Sequence, residues 1–240
     1  MSMIDYAAPA GPTRGHLSVP EGPGPWPGVV VVQDILGMTP DIKRIGDRFA
    51  ANGYLALTPS LYERGPKVGC VVSTMKSLVT GKGTAVDDLI AARDHLSEDP
   101  RCTGKVGVVG FCLGGGFTLL LAPRGIFDAA APNYGQLPRN LAALNSSCPM
   151  VASFGAKDRT LPGAAAKIEA ALAEGDVPRD IKEYPGVGHS FMNDWGFPRP
   201  MPLLERVVGF NYSEPEAEDA WRRILAFFGE HLGDEGVSQA

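Results

Sequence analysis

The chain has 240 residues, 44% of them hydrophobic and 20% charged, which is typical of one globular domain and excludes a mainly disordered chain. The formal net charge of -5 gives no support for general binding to nucleic acids or anionic lipids. Apolar runs such as Val29–Val32 are far shorter than a membrane span, and no basic, apolar leader opens the sequence. We therefore expect a single domain over residues 1–240 in the cytoplasm, with a small-molecule partner, no nucleic acid and no membrane.

The cysteines argue against a metal or disulfide scaffold. Four are present, and their spacing matches neither a zinc knuckle nor a C-x-x-C pair: Cys70, Cys102, Cys112 and Cys148. Without an export signal, a disulfide framework is not expected. No nucleotide-binding fingerprint is present, so we expect neither a metal nor another cofactor.

Strand and helix patterns alternate from Gly28 onward. The run GVVVVQ is typical of a buried central strand. Thr39 and Pro40 then fit an N-cap and a first helical residue, and apolar residues recur at helical spacing until Asn52-Gly53 indicates the end of the helix.

The alternation continues to the end of the chain. Further strands are predicted for YLALTP, KVGVVG, FDAAAPNYG, PMVASFG and RDIKEYPG, and a strand near the N-terminus contains His16. Helices are predicted from Thr84 to Leu96, after KVGVVG through Leu121, around Ala164 to Ala173 ending at Gly175, and after Ser213, which has capping-box spacing to Glu216. This order predicts an α/β fold with a mostly parallel, twisted sheet covered by helices on both faces.

Two stretches interrupt the alternation, Leu61 to Gly83 and Asn193 to Asn211. Both are longer than simple connections. Insertions of this kind over a sheet often supply the walls of a substrate site.

The segment GFCLGG, from Gly110 to Gly115, follows a predicted strand and precedes a predicted helix. It matches the nucleophile-elbow pattern with Cys112 in place of serine. Such a turn strains the central residue, admits only very small neighbours, and aims the sulfur at a helix N-terminus that favours a thiolate. The alternative is a glycine-rich helix start with a buried, inert cysteine.

Two further residues follow later strands in the order that an α/β-hydrolase requires. Asp158 comes after PMVASFG, and His189 comes after RDIKEYPG. His189 would exchange protons with Cys112, and Asp158 would orient the imidazole. Asp158 is also consistent with a turn acid or helix cap, whereas surface or packing roles are expected for the other histidines, His16, His95 and His231.

Several local motifs resemble the dienelactone hydrolase family over nearly the whole chain: VVVVQDILG, GYLALTPSLY, KVGVVGFCLGG, SFGAKD, PGVGHSF and EAEDAWRRILAFF. The resemblance implies the α/β-hydrolase fold and a triad of Cys112, His189 and Asp158. It also implies an oxyanion hole formed by the backbone N–H groups of Leu113 and Ile35.

The sequence departs from this family at the substrate site. Asp34 stands where the founding enzyme has a glutamate that contacts the nucleophile's sulfur, so Asp34 is a candidate thiol activator or a loop-capping acid. Asn193 stands where that enzyme has a carboxylate-binding arginine; Arg199 or Arg206 could replace it. Tyr134 is a candidate substrate contact or a core or rim aromatic.

A cysteine nucleophile favours substrates with good leaving groups. The tetrahedral intermediate can expel either the thiolate or the substrate's leaving group, and a simple alkoxide is the worse of the two. We therefore expect small lactones or activated esters to be hydrolysed through an acyl-thioester. The alternatives are a broader carboxylesterase or thioesterase, and a non-catalytic ligand-binding protein with a hydrolase fold. Monomer and dimer remain open.

Overall fold

The computed structural model describes residues 1–196 and 212–233. Its strands are β1 (Ser2–Tyr6), β2 (Thr13–Ser18), β3 (Trp26–Val32), β4 (Leu55–Pro59), β5 (Cys102–Phe111), β6 (Ala129–Asn133), β7 (Met150–Gly155) and β8 (Arg179–Tyr184). Its α-helices are α1 (Pro40–Ala51), α2 (Lys67–Thr80), α3 (Thr84–Glu98), α4 (Leu113–Leu121), α5 (Ala164–Glu174) and α6 (Glu214–Leu232).

All eight strands form one sheet in the order β1-β2-β4-β3-β5-β6-β7-β8. Strand β2 runs antiparallel to both β1 and β4, and every other pairing is parallel. The predicted mostly parallel sheet is therefore confirmed. The carboxyl ends of β3, β5, β6, β7 and β8 all lie at one edge, where such sheets build their sites.

The side chains of the central strand β3 are buried on both faces of the sheet, which requires helices on both sides. Each residue of Val29–Val32 is fully buried. Because successive side chains alternate between faces, Val29 and Val31 pack with α1 and α6, while Val30 and Val32 pack with α3, α4 and α5. Within the described ranges, no helix combines the length and apolar content that crossing a membrane needs.

The predicted helix ends are mostly correct. The Thr39 hydroxyl accepts the Ile42 N–H at 3.3 Å, Pro40 opens α1, and Gly175 ends α5. The capping box at Ser213 differs from the prediction. Its hydroxyl meets the Glu216 carboxylate at 2.5 Å and makes no bond to a backbone N–H of α6, so the carboxylate displaces the usual cap.

The predicted insertion Leu61–Gly83 contains α2, which the sequence analysis did not predict. Its small polar residues Thr74 and Ser77 face the protein. Leu78 packs against the core, but four other large apolar residues of α2 are exposed to solvent: Val68, Val72, Met75 and Val79. This reversal hides the usual helical signal, in which the apolar stripe faces the core. Most of the other insertion, Asn193–Asn211, lies outside the described residues, as do Arg199 and Arg206.

Candidate active site

Cys112 occupies a strained turn between β5 and α4. Its backbone has φ 55° and ψ -113°, a conformation that non-glycine residues rarely adopt. The turn needs glycine at two neighbours, because a β-carbon on Gly110 would collide with the Gly114 carbonyl, and one on Gly114 with the Val32 carbonyl. The local geometry is therefore the predicted nucleophile elbow.

The acid and the histidine reach Cys112 from loops after β7 and β8. The Lys157 N–H donates to the Val187 carbonyl at 2.9 Å, which ties the two loops together. Asp158 Oδ2 and His189 Nδ1 lie 2.6 Å apart, and the Cys112 thiol is within hydrogen-bonding reach of the same imidazole. The structure thus brings together the three side chains that the sequence analysis selected.

The charges of this group depend on burial and hydrogen bonding. Burial alone would lower the pKa of His189, but its hydrogen bonds with Asp158 and Cys112 outweigh burial and raise that pKa to about 9. For Asp158 the effect of burial has the opposite sign, because burial raises the pKa of a carboxyl group. Hydrogen bonds from His189 and Thr160 outweigh it and hold the pKa of Asp158 below its ordinary value. The arrangement favours an imidazolium between a carboxylate and a sulfur.

Asp158 is held in place by a second set of bonds. Its Oδ1 accepts the Thr160 N–H at 2.8 Å and the Thr160 hydroxyl at 2.6 Å, while Oδ2 faces His189. The residue therefore makes the turn contacts that the sequence left open and the contact to histidine at the same time.

The two backbone groups considered for an oxyanion hole lie at the ends of adjacent, parallel strands. Leu113 is the first residue of α4, where N–H groups have no partner inside the helix. Ile35 lies in the loop after β3, and its carbonyl accepts the Tyr62 hydroxyl at 3.2 Å. Both loops start from residues in register, because Val32 on β3 pairs with Gly110 on β5.

Asp34 is buried beside this loop, and both of its carboxylate oxygens accept hydrogen bonds. Oδ1 accepts the Leu36 N–H at 2.7 Å, and Oδ2 accepts Nε1–H of Trp195 at 2.8 Å. Burial raises the pKa of Asp34, and these bonds partly oppose the rise. Its bonding corresponds to the loop-capping alternative.

Tyr134 follows β6 and is fully buried, with φ 38°. Its ring meets the His189 ring edge-on, with centroids 5.3 Å apart. Its hydroxyl donates to Oδ1 of Asn193 at 2.6 Å, and Nδ2 of Asn193 donates to Asp41 at 2.8 Å. Tyr134 thus occupies the core position that the sequence left open, beneath the histidine.

Three residues near the site were missed as contributors by sequence reasoning. In the sequence, Asp41 is recognisable only as an acid in the first turn of a helix, and Trp195 only as an aromatic residue in an insertion. Asn193 is noticeable only because it differs from the family pattern. Their partners are distant in sequence: Asp41 is 152 residues from Asn193, and Trp195 is 161 residues from Asp34.

For the other histidines, surface or packing roles were expected, and each has a contact outside the triad. His16 pairs with Asp47 at 2.8 Å, while His95 and His231 lie against Tyr6 and Phe227. Across residues 1–196 and 212–233, no group of three or more His, Cys, Asp or Glu side chains is arranged to hold a metal ion.

Comparison with known proteins gives consistent results. A sequence model of the Dienelactone hydrolase family matches residues 13–232. The Escherichia coli (strain K12) protein named "Putative carboxymethylenebutenolidase" is 29% identical over 241 residues, which span 92% of this chain and 83% of that protein.

Solved structures agree with this. The "Putative Dienelactone Hydrolase" of Klebsiella pneumoniae is 26% identical with a TM-score of 0.74, covering 96% of this chain and 100% of that one. A dienelactone hydrolase-like promiscuous phosphotriesterase from metagenomic libraries is 24% identical with a TM-score of 0.79, covering 97% and 98%. The similarities confirm the predicted α/β-hydrolase fold.

Proposed function

The chain belongs to the dienelactone hydrolase family, and from that premise we propose that it hydrolyses small lactones or activated esters with Cys112 as the nucleophile. The observation that carries the proposal is the contact series from Asp158 through His189 to the Cys112 thiol. Family membership supports a hydrolase of lactones or esters. The cysteine nucleophile, the triad and the thioester intermediate are proposed from the contacts at the site.

In the first half of the reaction, the Cys112 sulfur attacks the substrate carbonyl carbon. A C–S bond forms, and the carbonyl electron pair moves onto oxygen, where the N–H groups of Leu113 and Ile35 stabilise it. The C–O bond to the leaving group then breaks. The leaving oxygen takes a proton from the imidazolium of His189, and an acyl-thioester remains on Cys112.

In the second half, neutral His189 takes a proton from water as the water oxygen attacks the thioester. The new tetrahedral intermediate expels the sulfur, so the acid is released and the thiolate and imidazolium are restored. Asp158 keeps Nδ1 of His189 protonated and hydrogen-bonded, which leaves Nε2 to exchange protons with sulfur, leaving group and water.

The leaving-group argument selects the substrates. Aryl esters, enol-lactones and thioesters release groups that compete with a thiolate, whereas the alkoxide of an alkyl ester does not. We expect kcat/KM for p-nitrophenyl acetate to exceed that for ethyl acetate by far more than the ratio of their alkaline hydrolysis rates. Equal ratios would contradict a cysteine nucleophile.

A labelling experiment distinguishes this enzyme from a ligand-binding protein with the same fold. Iodoacetamide near pH 7 should modify Cys112 before Cys70, Cys102 and Cys148, and an aryl lactone such as dihydrocoumarin should slow that modification. Mass spectrometry after rapid acid quenching of a p-nitrophenyl acetate reaction should find the acetyl group on Cys112. An unreactive Cys112, or no turnover of any activated ester, would overturn the proposal.

A further inference from the structure

Asn193 lies four residues after His189, in the same loop, and links this loop to two other parts of the fold. Its side chain is almost fully buried between Tyr134, which follows β6, and Asp41, in the first turn of α1. Its own N–H closes the turn after His189 by donating to the Ser190 carbonyl at 3.0 Å. The residue therefore connects the histidine loop to the end of β6 and to α1.

The chemistry of this position requires a side chain that donates at one end and accepts at the other. The Asp41 carboxylate only accepts, so Nδ2 of Asn193 must face it, at 2.8 Å. That leaves Oδ1 to accept the Tyr134 hydroxyl at 2.6 Å. Because the site is buried, any polar group left there without a hydrogen-bond partner destabilises the folded state.

Tyr134 connects Asn193 to His189, because its hydroxyl bonds to Asn193 and its ring contacts the imidazole. Its N–H donates to the Ser153 carbonyl at 2.8 Å, so the backbone under the ring is fixed to β7. Its ring touches the imidazole of His189 edge-on. A shift of the phenol would change the surface on which that imidazole rests.

Asp41 supplies the fixed end of the network. Its other oxygen, Oδ1, pairs with Arg44 at 3.0 Å, and the same guanidinium donates to the Asp194 carbonyl. Both the side chain and the following backbone of Asn193 are thus bound to α1. This helix is itself packed on the central strands through Ile42 and Phe49.

We propose that Asn193 is a positioning residue that sets the orientation of His189 toward Cys112 through Tyr134 and the loop between them. The expected effect of Asn193 on turnover rests on the proposed function. The expected effect on the reactivity of the Cys112 thiol does not.

The test exchanges the two ends of the Asn193–Asp41 hydrogen bond. Asn193→Asp places a second carboxylate against Oδ2 of Asp41 and removes the amide that donates to this oxygen, so the two carboxylates repel each other. Combined with Asp41→Asn, the amide donates from α1 to the new carboxylate, which still accepts the Tyr134 hydroxyl. The double variant therefore restores the network with its polarity reversed.

For Asn193→Asp we expect kcat for p-nitrophenyl acetate to fall about 10- to 100-fold with KM changed much less, because the displaced histidine affects chemistry rather than binding. The pH profile of iodoacetamide alkylation at Cys112 should shift in the same variant. The double variant should recover both readouts to within about threefold of the wild type. Asn145→Asp, at an exposed position of the short 3-10 helix Leu141–Ser146, is the matched control for the added charge.

Three outcomes would overturn the inference: wild-type kcat and alkylation profile in Asn193→Asp, no recovery in a double variant with wild-type Tm, or a wild-type profile in Tyr134→Phe. The last variant removes one hydroxyl and applies if Asn193→Asp does not fold. A wild-type protein without esterase activity would refute the proposed function alone, since the alkylation profile needs no substrate.

Discussion

Asp158 Oδ2 and His189 Nδ1 lie 2.6 Å apart, although 31 residues separate them and each follows a different strand. The parallel neighbours β7 and β8 end at the same edge of the sheet, and the hydrogen bond from the Lys157 N–H to the Val187 carbonyl holds the two loops together. Burial would lower the pKa of His189, but the contact with Asp158 and the hydrogen bond to Cys112 together raise it, so the contact that orients the imidazole also favours its charged form.

Replacing the histidine should abolish turnover without unfolding the protein. In His189→Ala, we expect kcat/KM for p-nitrophenyl acetate to fall by about 10³-fold or more, because the proton carrier and the charge beside sulfur are both lost. Steady-state kinetics measure the loss, and circular dichroism with Tm checks the fold. His95→Ala, on α3, should retain activity. Equal losses of kcat/KM in both variants would contradict a role for His189 in proton transfer.

The raised pKa of His189 also makes stability depend on pH. In the folded chain this pKa is about 9, above its ordinary value of 6.5, so the folded state binds the proton more tightly. The stabilisation is fully present below pH 6.5 and is lost as the pH rises through 9. Urea unfolding should show the wild type losing about 1–3 kcal/mol over this range relative to His189→Gln.

If the two proteins show parallel pH profiles, the imidazole is not held as a cation by Asp158 and Cys112. Comparison with the variant removes the contributions of other titrating groups, since both proteins share them.

Asp34→Asn tests whether this carboxylate holds the loop or takes the thiol proton. Asparagine keeps one acceptor for Leu36 or Trp195 and turns an N–H₂ toward the other donor, so the loop of Ile35 should loosen. We expect kcat/KM to fall about tenfold while the alkylation rate of Cys112 changes less than twofold. A parallel fall in both rates would instead indicate thiol activation by Asp34.

The elbow glycine is expected to be irreplaceable for steric reasons. Gly114→Ala would press a methyl group into the Val32 and Gln33 carbonyls and should cost about 2–3 kcal/mol of unfolding free energy. Gly69→Ala is the matched control, because its new methyl group meets open space on α2 and should stabilise the helix by up to about 1 kcal/mol. Urea denaturation of both variants measures the contrast; a stable Gly114→Ala would contradict the described packing.

Features set by neighbouring residues could be predicted from sequence. Thr39 and Pro40 predict α1 because a helix cap acts over one turn, and GFCLGG predicts the elbow because Gly110 lies against the backbone of Gly114, four residues later. Strand ends also predicted that Cys112, Asp158 and His189 would share one edge.

Contacts between distant loops could not be predicted in this way. Asn193, Asp41 and Tyr134 each fit an ordinary local role, and only folding brings them together. Helix α2 was missed because most of its large apolar side chains are exposed while Thr74 and Ser77 are buried, so the usual apolar periodicity gives a misleading signal.

Strand β8 lies at the edge of the sheet, paired with β7 on one side, and the loop bearing His189 continues directly from it. Edge strands detach more readily than central ones, because fewer backbone hydrogen bonds hold them. Warming should therefore separate the imidazole from the sulfur by local fraying before the central strands melt. Heat inactivation of this protein would then begin below the temperature of global unfolding and reverse on cooling.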